Sequence, residues 1–274
     1  MEIFAGQSLI SHGNGSADVL STLVKKRTPG SRTPENYSTP SSTENGLPRH
    51  GNMLLRAIDP EHFLRLRQFI KRVSLIKDQY VYQQDDRMGV IYFPESAVMS
   101  EFQILEDGRT IEVGLIGSEG AVGIPSAFNS VRAANCTQVC VPGTALAVGR
   151  DVFEREVISD PRLQLVLHSY LNAQIKQLSQ RVVCNTFHSV EQRFCTWLLT
   201  LQNRSHRERF RLTHEHVARV LGVHRPSVTC IAQTLRDKKL IDYGRARLVI
   251  CDPVGLEKLA CRCSAELQTS EFLH

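Results

Sequence analysis

At 274 residues with 42% hydrophobic side chains, the chain is long enough to build two ordinary domains with real cores. It has no apolar run of about 18 residues to span a membrane, and its N-terminus lacks the basic start and apolar core of a secretory signal. The chain is therefore read as cytoplasmic, with its scattered cysteines as free thiols, while the net charge of +5, matched by that of residues 189–274 alone, points to a polyanion partner for the last third.

Residues 1–50 are rich in Ser, Thr, Pro, Asn and Gly and are expected to form a disordered tail, with Lys25, Lys26 and Arg27 as a solvated cluster. Three Asp-Pro pairs, Asp59-Pro60, Asp160-Pro161 and Asp252-Pro253, each place a capping carboxylate before a residue whose φ is already helical. The first is expected to open a short helix with Phe63, Leu66, Phe69 and Ile70 on one face. Short β-rich runs follow at 90–93, 97–105 and 110–117, the last two separated by the hairpin signal Asp107-Gly108. Two more, at 136–141 and 145–148, flank Pro142-Gly143. Many short strands with closely spaced turns predict an antiparallel sandwich or barrel.

From Asp160 the period becomes helical. Leu171, Ile175, Leu178 and Val182 repeat at steps of four, three and four, the spacing of a two-helix seam, so these four are the candidate dimer interface. Leu163, Val166, Leu167 and Tyr170 widen the apolar face where the helix meets the barrel. Ser189 and Gln192 then have capping-box spacing and open a helix with Val190, Phe194, Trp197, Leu198 and Leu201 on one face.

The stretch LTHEHVARVLGVHRPSV (212–228) reads as helix, tight turn, helix. Thr213 caps the first helix, whose inner face is Val217, Val220 and Leu221; Gly222 ends it, and Val223 plugs the corner. The second begins at His224 or Arg225 and buries Val228, Ile231 and Leu235. Its outer face carries Arg225, Ser227, Thr229, Cys230 and Gln233, short hydrogen-bonding groups that suit close approach to a DNA major groove. LIDYGRARLVICDP then gives a β-hairpin wing; Arg245 and Arg247 on it, with Lys238 and Lys239 just before it, would face phosphates. These nine residues and Thr213 are the candidate DNA-binding set.

With these motifs in place, residues from about 51 to 263 resemble the Crp/Fnr family of bacterial transcription regulators. The carrying stretches are IYFPESAVMS (91–100), GLIGSEGAVGIP (114–125) and LTHEHVARVLGVHRPSVTCIAQTLRDKKLID (212–242). The resemblance implies an α+β protein: a cyclic-nucleotide-binding-like antiparallel β-roll of the double-stranded β-helix, or jelly-roll, type over 51–159, a dimerisation helix over 160–187, a winged helix-turn-helix over 188–265 and a flexible C-terminus over 266–274. It implies a homodimer on palindromic double-stranded DNA, with RNA polymerase as a further partner and an unidentified signal read by the roll. Arg225 matches the family's guanine-reading arginine. Pro226 and Cys230 replace a glutamate and a second arginine that read bases in the best-known members, so the operator is expected to differ from the family's usual half-site.

In the roll, the resemblance leaves Glu119 and Arg132 as the remnants of the family's effector site. Arg132 is followed by Ala133 rather than by the phosphate-binding serine, so a cyclic nucleotide is not expected. An iron–sulfur cluster is not expected either, because the tail has no cysteine, and no cofactor is identified. Cys261 and Cys263, with Cys251 ten residues earlier, show no second ligand pair at zinc spacing, so no metal is assigned. His214 and His216 are read as exposed polar positions, and Cys230 as the thiol whose oxidation would weaken DNA binding. No phosphate loop, nucleophile elbow or paired acid–base constellation is present, so the chain is not read as an enzyme. The alternative to a DNA-binding regulator is a small-molecule-binding module that has lost DNA binding.

Overall fold

The computed structural model describes residues 43–44, 47–48, 51–128 and 130–263. The tail expected over 1–50 lies outside these residues, apart from an antiparallel pair of two-residue strands, β1 (Thr43–Glu44) and β2 (Leu47–Pro48). The expected flexible C-terminus at 266–274 lies outside them entirely.

Two short helices, α1 (Met53–Arg56) and α2 (Pro60–Arg67), precede the sheets. The Asp59 carboxylate accepts from the Glu61 N–H and caps α2 as expected. Phe63 and Leu66 are buried, but α2 ends at Arg67, so Phe69 lies beyond the helix and is exposed. One sheet has the order β3 (Lys71–Leu75), β9 (Gly143–Gly149), β5 (Val90–Pro94); the other has β4 (Tyr80–Tyr82), β8 (Cys136–Val141), β6 (Val98–Ile104), β7 (Thr110–Ile116). Every pairing is antiparallel. These are the sheets of the β-roll.

Strands β5 to β9 fall where the apolar runs predict them. Strands β3 and β4 were not anticipated: both are edge strands with mixed exposure, and they lack the apolar alternation of their neighbours. The interior of the roll is filled by Leu75, Tyr82, Met88, Met99, Ile116, Val122 and Val139. Val98 and Phe102 of β6 belong to a different core, which explains why this strand reads as a nearly continuous apolar run: both of its faces are covered.

Helix α3 (Arg150–Ser159), also unanticipated, leaves the roll directly from β9. Its N-cap, Gly149, has no side chain to signal the start. The long helix α4 (Pro161–Phe187) follows, with the Asp160 carboxylate accepting from the Arg162 N–H. The caps of α2 and α4 meet through His62, whose Nδ1 lies 2.9 Å from Asp160 and 3.9 Å from Asp59. Leu163, Leu167 and Tyr170 are buried with Ile91, Phe93 and Phe153, joining the start of α4 to the roll.

The last third contains α5 (Val190–Ser205), β10 (Arg209–Arg211), α6 (His214–Leu221), α7 (Arg225–Asp237), β11 (Ile241–Gly244), β12 (Arg247–Ile250) and α8 (Pro253–Leu259). Both halves of the Ser189–Gln192 capping box are formed. Helix α5 runs as far as Ser205, and His206 closes it in the left-handed conformation. Strand β10 is the third strand of the wing sheet, pairing with β12 on the side opposite β11.

Candidate nucleic-acid interface

Helices α6 and α7 form the helix-turn-helix. The Thr213 hydroxyl accepts from the His216 N–H at 3.0 Å. At the far end Gly222 has φ +63°, a conformation open to glycine at little cost, and the Val223 N–H reaches back to Ala218 O at 3.0 Å. Pro226 lies in the first turn of α7, where an N–H would have no helical partner to lose. Val228, Ala232 and Leu235 are buried and Ile231 is half-buried; Ala232 was not named from the sequence because its small size gives a weak periodic signal.

The outward face is as read: Arg225, Ser227, Thr229, Cys230 and Gln233 are all exposed, as are Thr213, Lys238, Lys239, Arg245 and Arg247. Their engagements differ. Arg225, Lys239, Arg245 and Arg247 have no carboxylate within ion-pair reach among the described residues, so their charge is open to a polyanion. Lys238 is instead paired with Glu191 of α5 at 3.1 Å. The Gln233 amide donates to Asp237 at 2.8 Å, and Thr229 shares its hydroxyl between Arg225 O and His214 Nδ1.

His214 thus belongs to this face: it meets Tyr243 edge-on and holds Thr229 at 3.0 Å. Burial, then the neighbouring Arg225, lowers its pKa and favours the neutral ring. Arg209 and Arg211 on β10 were also missed. They flank buried Phe210 and are exposed, and Arg211 lies directly opposite Arg247 in the register. Like charges facing across an antiparallel pair repel, a cost that a polyanion would relieve. The R-F-R alternation was the available signal.

The helix-turn-helix packs against the roll through one continuous core. Phe102, Leu115, Cys140 and Val141 of the sheet join Trp197, Val217, Val220 and Leu221 of the last third. His216 sits inside this contact, only 7% exposed, with Nε2 3.6 Å from Cys140 Sγ and its ring against Phe102 and Trp197. It is therefore not the exposed position read from the sequence. Burial, with Lys77 adding to it, lowers its pKa to about 4. Arg219 lies over the Phe102 ring at 5.0 Å.

A polar seam runs beside this core. Glu112 of β7 is held by Arg181 of α4 at 3.2 Å and by the Trp197 indole N–H, which donates to both carboxylate oxygens. Burial opposes the charge on both Glu112 and Arg181, against their mutual attraction.

Glu119 and Arg132, read as effector remnants, make separate structural contacts. Glu119 accepts the Gly117 N–H at 2.9 Å and pairs with Arg204 of α5 at 3.1 Å. Arg132 donates to Asp85 O. The loop bearing Glu119 is also closed from α4: Tyr170 OH donates to Ala121 O and accepts the Ala121 N–H, and a Cβ at Gly120 would come within 2.5 Å of that hydroxyl.

Of the candidate dimer residues, Leu171 is half-buried against the roll, while Ile175, Leu178 and Val182 are 60%, 44% and 65% exposed, a row of bare aliphatic side chains on α4. The sulfurs of Cys261 and Cys263 lie beside Cys184 and His188 at the end of α4, a grouping invisible in local spacing because it joins segments 77 residues apart.

The model of the Crp-like helix-turn-helix domain matches residues 192–259. This stretch is a Crp-like helix-turn-helix domain. The Crp-like domain spans the capped helix α5, the helix-turn-helix and the wing, and the chain in front of it has the matching fold. A Eubacterium rectale protein assigned to the Crp/Fnr family of transcriptional regulators superposes with TM-score 0.62 at 13% identity, over 75% of this chain and 96% of its own. FixK2 from Bradyrhizobium japonicum gives 0.60 at 16%, over 70% and 98%. The c-di-GMP-responsive global regulator CLP from Xanthomonas campestris gives 0.58 at 17%, over 70% and 99%. No curated protein sequence matches. The resemblance drawn from the sequence is therefore borne out in the Crp-like domain by its family model and in the roll by fold. No helix among the described residues is long and apolar enough to cross a membrane.

Proposed function

We propose that the protein is a homodimeric, sequence-specific transcription regulator of Crp/Fnr type. It inserts α7 into the major groove of a palindromic operator, works with RNA polymerase, and takes a signal through its β-roll in the cytoplasm. The observation that carries this reading is the outward face of α7 and the wing: hydrogen-bonding side chains around Arg225, flanked by Lys239, Arg245 and Arg247 with no intramolecular ion-pair partner among the described residues. Packing against the roll covers α6 and leaves that face open.

Dimerisation is supported by the bare row Ile175, Leu178 and Val182 at seam spacing. One recognition helix reads only a few base pairs, and a two-fold axis places two of them about one helical turn apart. The roll and the Crp-like domain share both a core and the seam from Glu112 to Arg181 and Trp197. A signal that shifts the roll would thereby shift the population of helix orientations. The test is fluorescence anisotropy on operator DNA with Arg225→Glu: binding should be lost while the dimer mass by light scattering is retained. Unchanged affinity would sink the reading.

A further inference from the structure

The end of α4 and the segment after α8 bring together four groups that the DNA-binding reading does not use. Cys184 lies in the last turn of α4 and His188 at its C-cap, four residues on, so both fall on one face of the helix end. Cys261 and Cys263 lie just beyond α8 and reach the same point. The four ligand atoms, three sulfurs and one ring nitrogen, are all within 4.8 Å of one another. Cys184 Sγ and Cys261 Sγ are 3.8 Å apart, and Cys263 Sγ and His188 Nδ1 are 4.0 Å apart.

Those distances decide between chemistries. A disulfide would need sulfurs at about 2.05 Å. Two thiolates on one tetrahedral zinc, each at about 2.3 Å, sit about 3.8 Å apart. A multi-iron cluster spreads its ligands over several irons and needs a wider cage. We propose that Cys184, His188, Cys261 and Cys263 hold a single tetrahedral Zn2+ ion, a closed three-cysteine, one-histidine structural site that clasps the end of the long helix to the C-terminal end of the DNA-binding domain.

The surroundings fit such an ion. Cys184 and Cys261 are buried, while Cys263 and His188 are half-buried, which gives an interior site with an entry side. The Thr196 hydroxyl lies 3.1 Å from Cys261 Sγ and accepts the Cys261 N–H, fixing that ligand from α5. Three thiolates on one Zn2+ leave a net negative charge, and a cation stands beside them. Arg193 is held by Asn185 and by Leu221 O, at 2.8 and 2.9 Å, and lies within electrostatic range of Cys184. Its Nε is buried without a hydrogen-bond partner, and no carboxylate pairs with it among the described residues.

The site spans a junction. Residues 184–188 join α4 to the Crp-like domain, and Cys261 follows the last helix of that domain. An ion there makes the junction a closed loop rather than a single-chain hinge. The proposal stands whether or not the chain binds DNA, and its test reads metal directly. Untagged full-length protein, purified under reducing conditions and supplied with Zn2+, should carry one zinc per chain by plasma mass spectrometry. With Co2+ instead, it should show the intense visible absorption of tetrahedral cobalt and a thiolate-to-cobalt band in the near ultraviolet.

Cys263→Ser, at a half-buried position, and Cys184→Ser should lose the zinc, while Cys230→Ser and Cys251→Ser, both exposed, should keep it. Circular dichroism of each variant separates metal loss from unfolding. For wild type no substitution is needed: a mercurial thiol reagent should release the zinc as three thiols react. Protein that takes up no zinc, zinc retained in a folded Cys184→Ser, Cys263→Ser double variant, or an iron chromophore with acid-labile sulfide would each overturn the proposal.

Discussion

Arg225 and His216 lie nine residues apart and do opposite work. Arg225 is exposed, unpaired among the described residues and at the start of α7, where an arginine can bridge guanine O6 and N7. Arg225→Ala should weaken operator binding by about tenfold to a hundredfold and relax selectivity mainly at one base pair, as a mismatch series in anisotropy would show. His216 is buried between the roll and the Crp-like domain and is held neutral, with its pKa lowered from 6.5 to about 4. As pH falls, the unfolded chain binds this proton first, so the contribution is whole above about pH 6.5 and is lost on acidification towards 4. By pH 5 the loss is about 2 kcal/mol. Urea midpoints for wild type and His216→Phe, compared at pH 7.5 and 5, should differ in their pH dependence by about that amount, and identical dependence would remove His216 from the account.

At the scale of elements, the wing turn is a place where sequence and backbone disagree. Arg245 and Ala246 have φ +49° and +63°, the left-handed values that a two-residue hairpin loop needs and that side chains with a Cβ resist. Ala246→Gly should therefore stabilise the domain by about 0.5–1 kcal/mol, read as a raised urea midpoint. Ser189→Ala should lose about 1 kcal/mol, because it opens a fully formed capping box. These local devices were legible in advance: the three Asp-Pro caps, the Ser189–Gln192 box and the Thr213 and Gly222 ends of α6 depend on neighbours two to five residues away. Strands β3 and β4 were not, because half-exposed edge strands show no period, and α3 was not, because Gly149 offers no capping side chain. Least legible were the burial of His216 against Phe102 and Cys140 and the meeting of Cys184 with Cys261. Both join positions more than 70 residues apart, and no local spacing encodes them.

For the whole molecule, the proposed palindromic operator requires two copies of the chain. The row Ile175, Leu178 and Val182 should be covered in solution, and Val182→Glu would bury an unpaired charge on each side of the two-fold axis, at a cost of several kcal/mol. Sedimentation should then show monomers that bind single half-sites weakly; a Val182→Glu dimer as tight as wild type would place the seam elsewhere. If α7 reads a palindrome, selection of bound duplexes from a random pool will reveal it, with wild type and Arg225→Glu run side by side. Wild type should enrich an inverted repeat with half-site centres about one helical turn apart, and Arg225→Glu should enrich nothing. No enriched repeat with wild type, or the same repeat recovered with Arg225→Glu, would rule out α7 as the palindrome reader.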